Sequence, residues 1–378
     1  MTTIEGTCDE RFTAVKDAFT ANFDNGLDVG ASVAVVSDGA MVVDLWGGFA
    51  DEAKTTPWAR DTIINVWSTT KTMTFLSALI LADRGELDFH APVAKYWPEF
   101  AANGKKAVEV RHLMGHTAGL SGWQEPITGT DLEDWEKCTS LLAAQAPWWE
   151  PGTASGYHAV TQGYLIGEVV RHISGSSIGT FFAKEIAGPL GADFHIGTGP
   201  ENDDRIALVI PPVAGLPPDL DPNGIPARTF SNPPMQAELA HTVGWRRAEI
   251  PAANGHGNAR SVARTQAVVS HGGELDGTRF LSDAGCRAIF EEQANGTDLV
   301  LQMPVRLGMG YGLNGEAMPI SPNANVCYWG GWGGSIVVND LDARLTVSYV
   351  MNRMGEGTVG DLRGAALVLA AYASLAAA

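Results

Sequence analysis

Residues 64–100 read INVWSTTKTMTFLSALILADRGELDFHAPVAKYWPEF, and this stretch carries the argument for the fold. The short apolar run Thr62–Trp67 leads into a helical pattern that opens at Ser68 and closes just before Gly85, which predicts a buried helix. Ser68 and Lys71 stand three positions apart at its start, so they share a helix face. A serine hydroxyl is a weak nucleophile until a neighbouring base takes its proton. A lysine can be that base where burial leaves it neutral, and its flanks here are apolar: Val66, Trp67, Met73, Phe75 and Leu76. The positive end of the helix also suits an oxyanion beside the Ser68 amide. Taken alone, Ser-x-x-Lys is short enough to arise by chance, and a serine that caps a helix is the plain alternative.

Upstream, Arg11–Phe23 has the spacing of a helix, and GASVAVVSDGAMVVDLWGG (30–48) places two β-rich runs around Asp38-Gly39, a hairpin signal. Near the other end, GGSIVVND and ARLTVSYVMN flank Asp340–Asp342 as a second hairpin, followed by a helix over about Val359–Leu375. The middle is helical and loop-rich, with helices expected at Thr161–Ser174, Ser177–Ala187, Ser261–Gly272 and Ser282–Glu292. Pro211–Pro234 is too long for a mere connector and reads as a lid or binding loop. This distribution predicts an α+β fold. An antiparallel sheet built from both chain ends and flanked by helices (1–87 and 260–378) would carry a mostly helical inserted domain (88–259).

Four blocks, in order, are similar to the class C β-lactamases and their relatives: the stretch quoted above, VRHLMGHTAGLSGW (110–123), SGYHAVTQGYLIGEVVRHISG (155–175) and YWGGWGGSIVVND (328–340). With the terminal hairpins, the resemblance covers nearly the whole chain. It implies a β-lactamase-like fold in which Ser68 is the acylated nucleophile, Lys71 its partner and Tyr157 a proton relay. It also implies an oxyanion hole formed by the amides of Ser68 and Trp332. Either Lys71 or Tyr157 would then be the base, because the two titrate as a coupled pair. Trp329, Gly330, Gly331, His158 and Trp123 are the candidate pocket residues.

Two departures bear on the substrate. Ala159 stands where the family's tyrosine motif has Asn, and Trp329 stands where its strand motif has Lys. Both remove polar groups that would hold a carboxylated β-lactam. The combination resembles family VIII carboxylesterases, which implies a serine hydrolase of small carboxylic esters. An amide hydrolase (β-lactamase, D-aminopeptidase or peptidase) or an acyltransferase of the same fold is the alternative, and a non-catalytic binding protein the reading from another class.

Other motifs read as structural. Gly175-Ser176-Ser177-Ile178-Gly179 matches G-x-S-x-G, but a helix rather than a strand precedes it, so Ser177 is expected to cap a helix. His112 and His116 lack a third ligand pattern, and no metal or other cofactor is expected. The 378-residue chain is 45% hydrophobic and 18% charged, with a formal net charge of -18. Such an acidic surface is a poor partner for nucleic acid or anionic membranes. Cys8, Cys138, Cys286 and Cys327 are scattered and read as free thiols. With no signal segment apparent in Met1–Arg11, a cytoplasmic enzyme acting on a small molecule is expected; a homodimer is left open.

Overall fold

The computed structural model describes residues 2–213, 221–316 and 318–376. A large antiparallel sheet has strands β1 (Ile4–Cys8), β2 (Gly30–Ser37), β3 (Ala40–Gly48), β4 (Ala294–Thr297), β5 (Pro304–Leu307), β6 (Gly312–Leu313), β7 (Val326–Gly330), β8 (Ile336–Asp340) and β9 (Leu345–Met351). Their spatial order is β1-β3-β2-β9-β8-β7-β6-β5-β4. The two chain ends therefore meet where β2 pairs with β9, Ala34 opposite Ser348.

Both expected hairpins form. Asp38 and Gly39 have φ of 49° and 84° in a two-residue turn that sets Ser37 opposite Ala40, as a primed turn requires. The β8–β9 loop is held by the Asp340 carboxylate, which accepts from the Ala343 amide at 2.8 Å, with Arg344 at φ 48°. Three parts of the fold are not legible in the sequence. β1 is a mostly exposed edge strand, held by backbone pairing to β3 and lacking any apolar alternation. The short strands β4 to β6 interrupt what reads as loop. A small second sheet joins Ile64–Asn65, Gly255–Gly257 and Phe194–Ile196.

Five helices frame the sheet: α1 (Thr13–Asp24), α2 (Lys71–Asp83), α3 (Thr161–Ser174), α4 (Ala259–Ser270) and α5 (Leu362–Ala376). α1 packs on α5, while α5 and α4 both lie against β9. Every residue of β9 is buried, so these helices cover opposite sheet faces. α2 is buried from Lys71 to Leu81, as expected of a helix that is apolar all round. It touches α3 and α4 and ends at Arg84, with Gly85 at φ 75°. The Ser177–Ala187 helix is broken in two, Ile178–Phe182 running into a wider turn at Ala183–Ala187, and Ser282–Glu292 shrinks to Asp283–Arg287 plus a short turn. Within Pro211–Pro234, Ile225–Phe230 is a helix, and residues 214–220 lie outside the described residues. No helix among the described residues is long and apolar enough to cross a membrane.

Candidate active site

Ser68 sits one residue past a forced bend. Trp67 has φ 49°, a left-handed conformation that costs a bulky residue on the order of 1–3 kcal/mol and survives only where neighbours over-determine it. Here they do. Val66 N–H donates to Gly255 O at 2.9 Å, and Thr70 Oγ1 donates to Trp67 O at 2.5 Å while accepting from Gly255 N–H at 2.8 Å. From the other side Ser335 Oγ donates to Val66 O at 2.9 Å and lies 2.9 Å from Thr69 Oγ1. The Trp67 ring packs between Trp245 and Trp332, with centroid distances of 5.6 and 5.0 Å. Residues Trp67–Thr70 form a 3₁₀ turn ahead of α2, and no side chain caps it. Ser68 is thus not spent as a cap.

Its hydroxyl instead meets two partners. Tyr157 donates to Ser68 Oγ at 2.6 Å, and Lys71 Nζ lies 2.9 Å from Ser68 Oγ and 3.0 Å from the Tyr157 hydroxyl. Lys71 Nζ also donates to the carbonyls of Ala159 (2.7 Å) and Ala252 (2.9 Å). Burial holds Lys71 well below the usual ammonium range, since it has no carboxylate to offset desolvation. Burial likewise raises the Tyr157 phenol above its ordinary value, against the opposing bond to Ser68. Both shifts favour the uncharged forms. Two carbonyls match the two hydrogens of a neutral amine, which leaves its lone pair for the hydroxyls. Ala159 thus supports Lys71 through its backbone, although it lacks the amide side chain.

The Tyr157 backbone is anchored from behind. Asp298 Oδ1 accepts from the amides of Tyr157 (3.0 Å), Val300 and Leu301 (both 2.9 Å). His116 Nδ1 accepts from His158 N–H at 3.0 Å. Asp298 and Ser335 were missed by the sequence reading, because each acts through a contact more than a hundred residues away with no local pattern.

The turn that carries Trp332, just past β7, lies directly against Ser68. A Cβ placed on Gly331 would lie 2.3 Å from Val66 O, 2.4 Å from Ser335 Oγ and 3.3 Å from Ser68 N. The glycine is what lets β7 close on the turn. Neither the Ser68 nor the Trp332 amide donates to a protein group among the described residues, so both are free for a ligand oxygen. Gly331→Ala is expected to push the two amides apart and to lower kcat about 10²-fold, the scale of a lost oxyanion donor. Steady-state kinetics with a thermal melt on the same sample separates this from unfolding.

A cavity of about 430 Å³ opens over Ser68, with Trp67, Tyr157, Val160, Phe230, Met235 and Trp332 in its wall. Of the candidate pocket residues, none of Trp329, Gly330, Gly331, His158 and Trp123 lines it. Trp329 is buried behind Tyr157, stacked on His116 at 5.4 Å. Gly330 packs on the 359–360 backbone. Trp123 donates its indole N–H to Cys138 O at 3.1 Å. His158 accepts from Leu120 N–H through Nε2 (3.1 Å), so its Nδ1–H donates to Gly156 O (2.6 Å). Burial holds it down to about 3. These side chains went inward because the β7 strand and the 156–158 segment are covered on both sides. The wall comes instead from the Pro211–Pro234 region and from residues 356 and 358, where the sequence has no chemical motif.

The decoy behaves as expected. Ser177 caps Ile178–Phe182 by accepting from Thr180 N–H, donates to Glu249 Oε1 at 2.6 Å, and follows Gly175 at φ 69°. His112 Nδ1 accepts from Glu109 N–H at 3.2 Å, so it closes a helix start.

Residues 19–372 match the family model described as Beta-lactamase. The chain belongs to the beta-lactamase family. It is 36% identical over 366 residues to "Esterase/beta-lactamase LipL" of Mycobacterium tuberculosis, covering 92% of this chain and 83% of that protein. Among solved structures it is similar to a family VIII carboxylesterase, with 42% identity, a TM-score of 0.93, and 98% of this chain and 100% of that chain covered. A penicillin-binding protein homologue from Caulobacter crescentus follows with 39% identity and a TM-score of 0.92, over 98% of this chain and 100% of that one. The β-lactamase-like fold expected from the four sequence blocks is therefore the fold of this chain.

Proposed function

We propose that the protein is a serine carboxylesterase that hydrolyses small carboxylic esters through an acyl-enzyme on Ser68. The observation that carries this reading is the contact of Ser68 Oγ with both Tyr157 and the buried Lys71 amine, at the floor of a largely apolar cavity. Ser68 Oγ attacks the ester carbonyl carbon as its proton passes to the Lys71 lone pair. The carbonyl oxygen gains the charge and is met by the Ser68 and Trp332 amides. The C–O bond to the alcohol then breaks, and the proton held by Lys71 reaches the leaving alkoxide by way of Tyr157. Water attacks the acyl-enzyme by the reverse route and releases the carboxylic acid.

Amide hydrolysis is the second reading. Against it stand the missing side-chain amide at Ala159 and the inward turn of Trp329, which leaves no lysine at the start of the strand motif to hold a substrate carboxylate. An amine is also a poorer leaving group than an alcohol. The four cysteines are unpaired, which supports a reducing compartment as the place of work.

Rates on p-nitrophenyl acetate and butyrate, measured beside the cephalosporin nitrocefin, test the reading. Fast ester cleavage with slow nitrocefin cleavage is expected. A nitrocefin rate above the ester rates would reassign the protein to the lactamases.

A further inference from the structure

The charge of the cavity is one-sided. Glu238 and Glu356 line it together with Ser68, and both are exposed, which places them at its open end. Neither forms an ion pair or a side-chain hydrogen bond among the described residues. No Lys, Arg or His lines the cavity, and residues 211–224, including the undescribed 214–220, contain none in sequence. Cations close by in the chain are committed elsewhere. Lys71 is buried beneath Ser68. Arg228 lies 3.9 Å over the Trp148 ring and donates to Gln124 Oε1 at 2.8 Å. Arg353 donates to Gly26 O at 2.8 Å. Four of the residues that share the cavity wall with the two carboxylates are aromatic: Trp67, Trp332, Phe230 and Tyr157. Aromatic faces backed by carboxylates attract ammonium groups and offer nothing to an anion. The net charge of -18 acts in the same sense over longer range, drawing cations in and turning anions away.

We infer that this pocket selects esters carrying an ammonium group and rejects anionic esters, with Glu238 and Glu356 as the specificity-determining residues. The inference rests on the esterase reading and names its substrate class. Hydrolysis releases an acid that ionises at neutral pH, and the product then leaves past two like charges, so product inhibition by simple carboxylates is weak.

Two isosteric pairs test it on the intact protein. One is butyrylcholine against the butyrate ester whose quaternary nitrogen is replaced by carbon, which puts the cation on the alcohol side. The other is the phenyl ester of trimethylammoniobutyrate against its tert-butyl analogue, which puts it on the acyl side. The phenyl monoester of glutaric acid supplies the anion. At low ionic strength the expected result is a kcat/KM ratio of roughly ten in favour of the cation in at least one pair. Added salt should shrink that ratio, and the glutarate ester should be the slowest phenyl ester. In the Glu238→Gln/Glu356→Gln double variant the ratio should fall toward one; the ratio, not the absolute rate, is the readout. Turnover of the neutral isosteres with a ratio near one in both pairs overturns the inference and leaves the esterase reading standing. So does a cation preference that survives the double substitution. Turnover of none of these esters overturns the inference, and it overturns the esterase reading as well where p-nitrophenyl acetate and butyrate are also left uncleaved.

Discussion

Ser68→Ala is expected to abolish ester hydrolysis, with a loss on the order of 10⁴-fold or more in kcat. The residual rate would come from whatever the free Ser68 and Trp332 amides and the cavity supply alone. The substitution removes one oxygen from a buried cluster, and the Trp67 bend is held by Thr70, Gly255 and Ser335 rather than by the Ser68 hydroxyl. The melting temperature should therefore move by only a few degrees. Ser177→Ala supplies the contrast. It removes a helix cap and a bond to Glu249, costing about 1 kcal/mol of stability while leaving most of the activity. Assays of both variants on p-nitrophenyl butyrate decide the matter. Full activity in Ser68→Ala with loss in Ser177→Ala would mean that the nucleophile has been misplaced.

Tyr157→Phe should lower kcat by about 10²- to 10⁴-fold, the usual worth of a positioned proton donor, and leave the protein folded. The ring keeps its packing against His116 and Trp329 at 5.1 and 6.0 Å, and only the hydroxyl between Lys71 and Ser68 is lost. The pH profile adds a second readout. Lys71 is active as the free amine, so the rate falls as acid protonates it, at a pH well below the ordinary lysine range. Tyr157→Phe should retain that acid limb, because the burial that causes it is unchanged. Activity that survives the substitution would remove Tyr157 from the proton path. The same depressed lysine has a cost in stability. Between its lowered value and the ordinary lysine range, the unfolded chain binds a proton that the folded protein does not. Lys71 therefore makes the fold less stable as the pH drops through that window, and the loss is relieved as the pH rises.

What the sequence by itself determined lies close together along the chain. Ser68 and Lys71 are three residues apart, so one helical turn brings them together, and Asp38-Gly39 marks its hairpin in two adjacent residues. The order of the four similar blocks carried Tyr157 and Trp332 into the site, although nothing local marks either. The tertiary structure decided the rest, because it depends on pairings across the chain. β1 is an exposed edge strand that exists only through β3. Ser335 and Asp298 act on residues far away in sequence, Val66 and Tyr157. Trp329 is an aromatic residue on a strand, equally suited to core or pocket until the chain on both sides of the strand is placed. Packing against His116 sent it inward, and Trp332, three residues on, went to the cavity. Which way a side chain faces depends on what covers it, and that cover comes from distant parts of the chain.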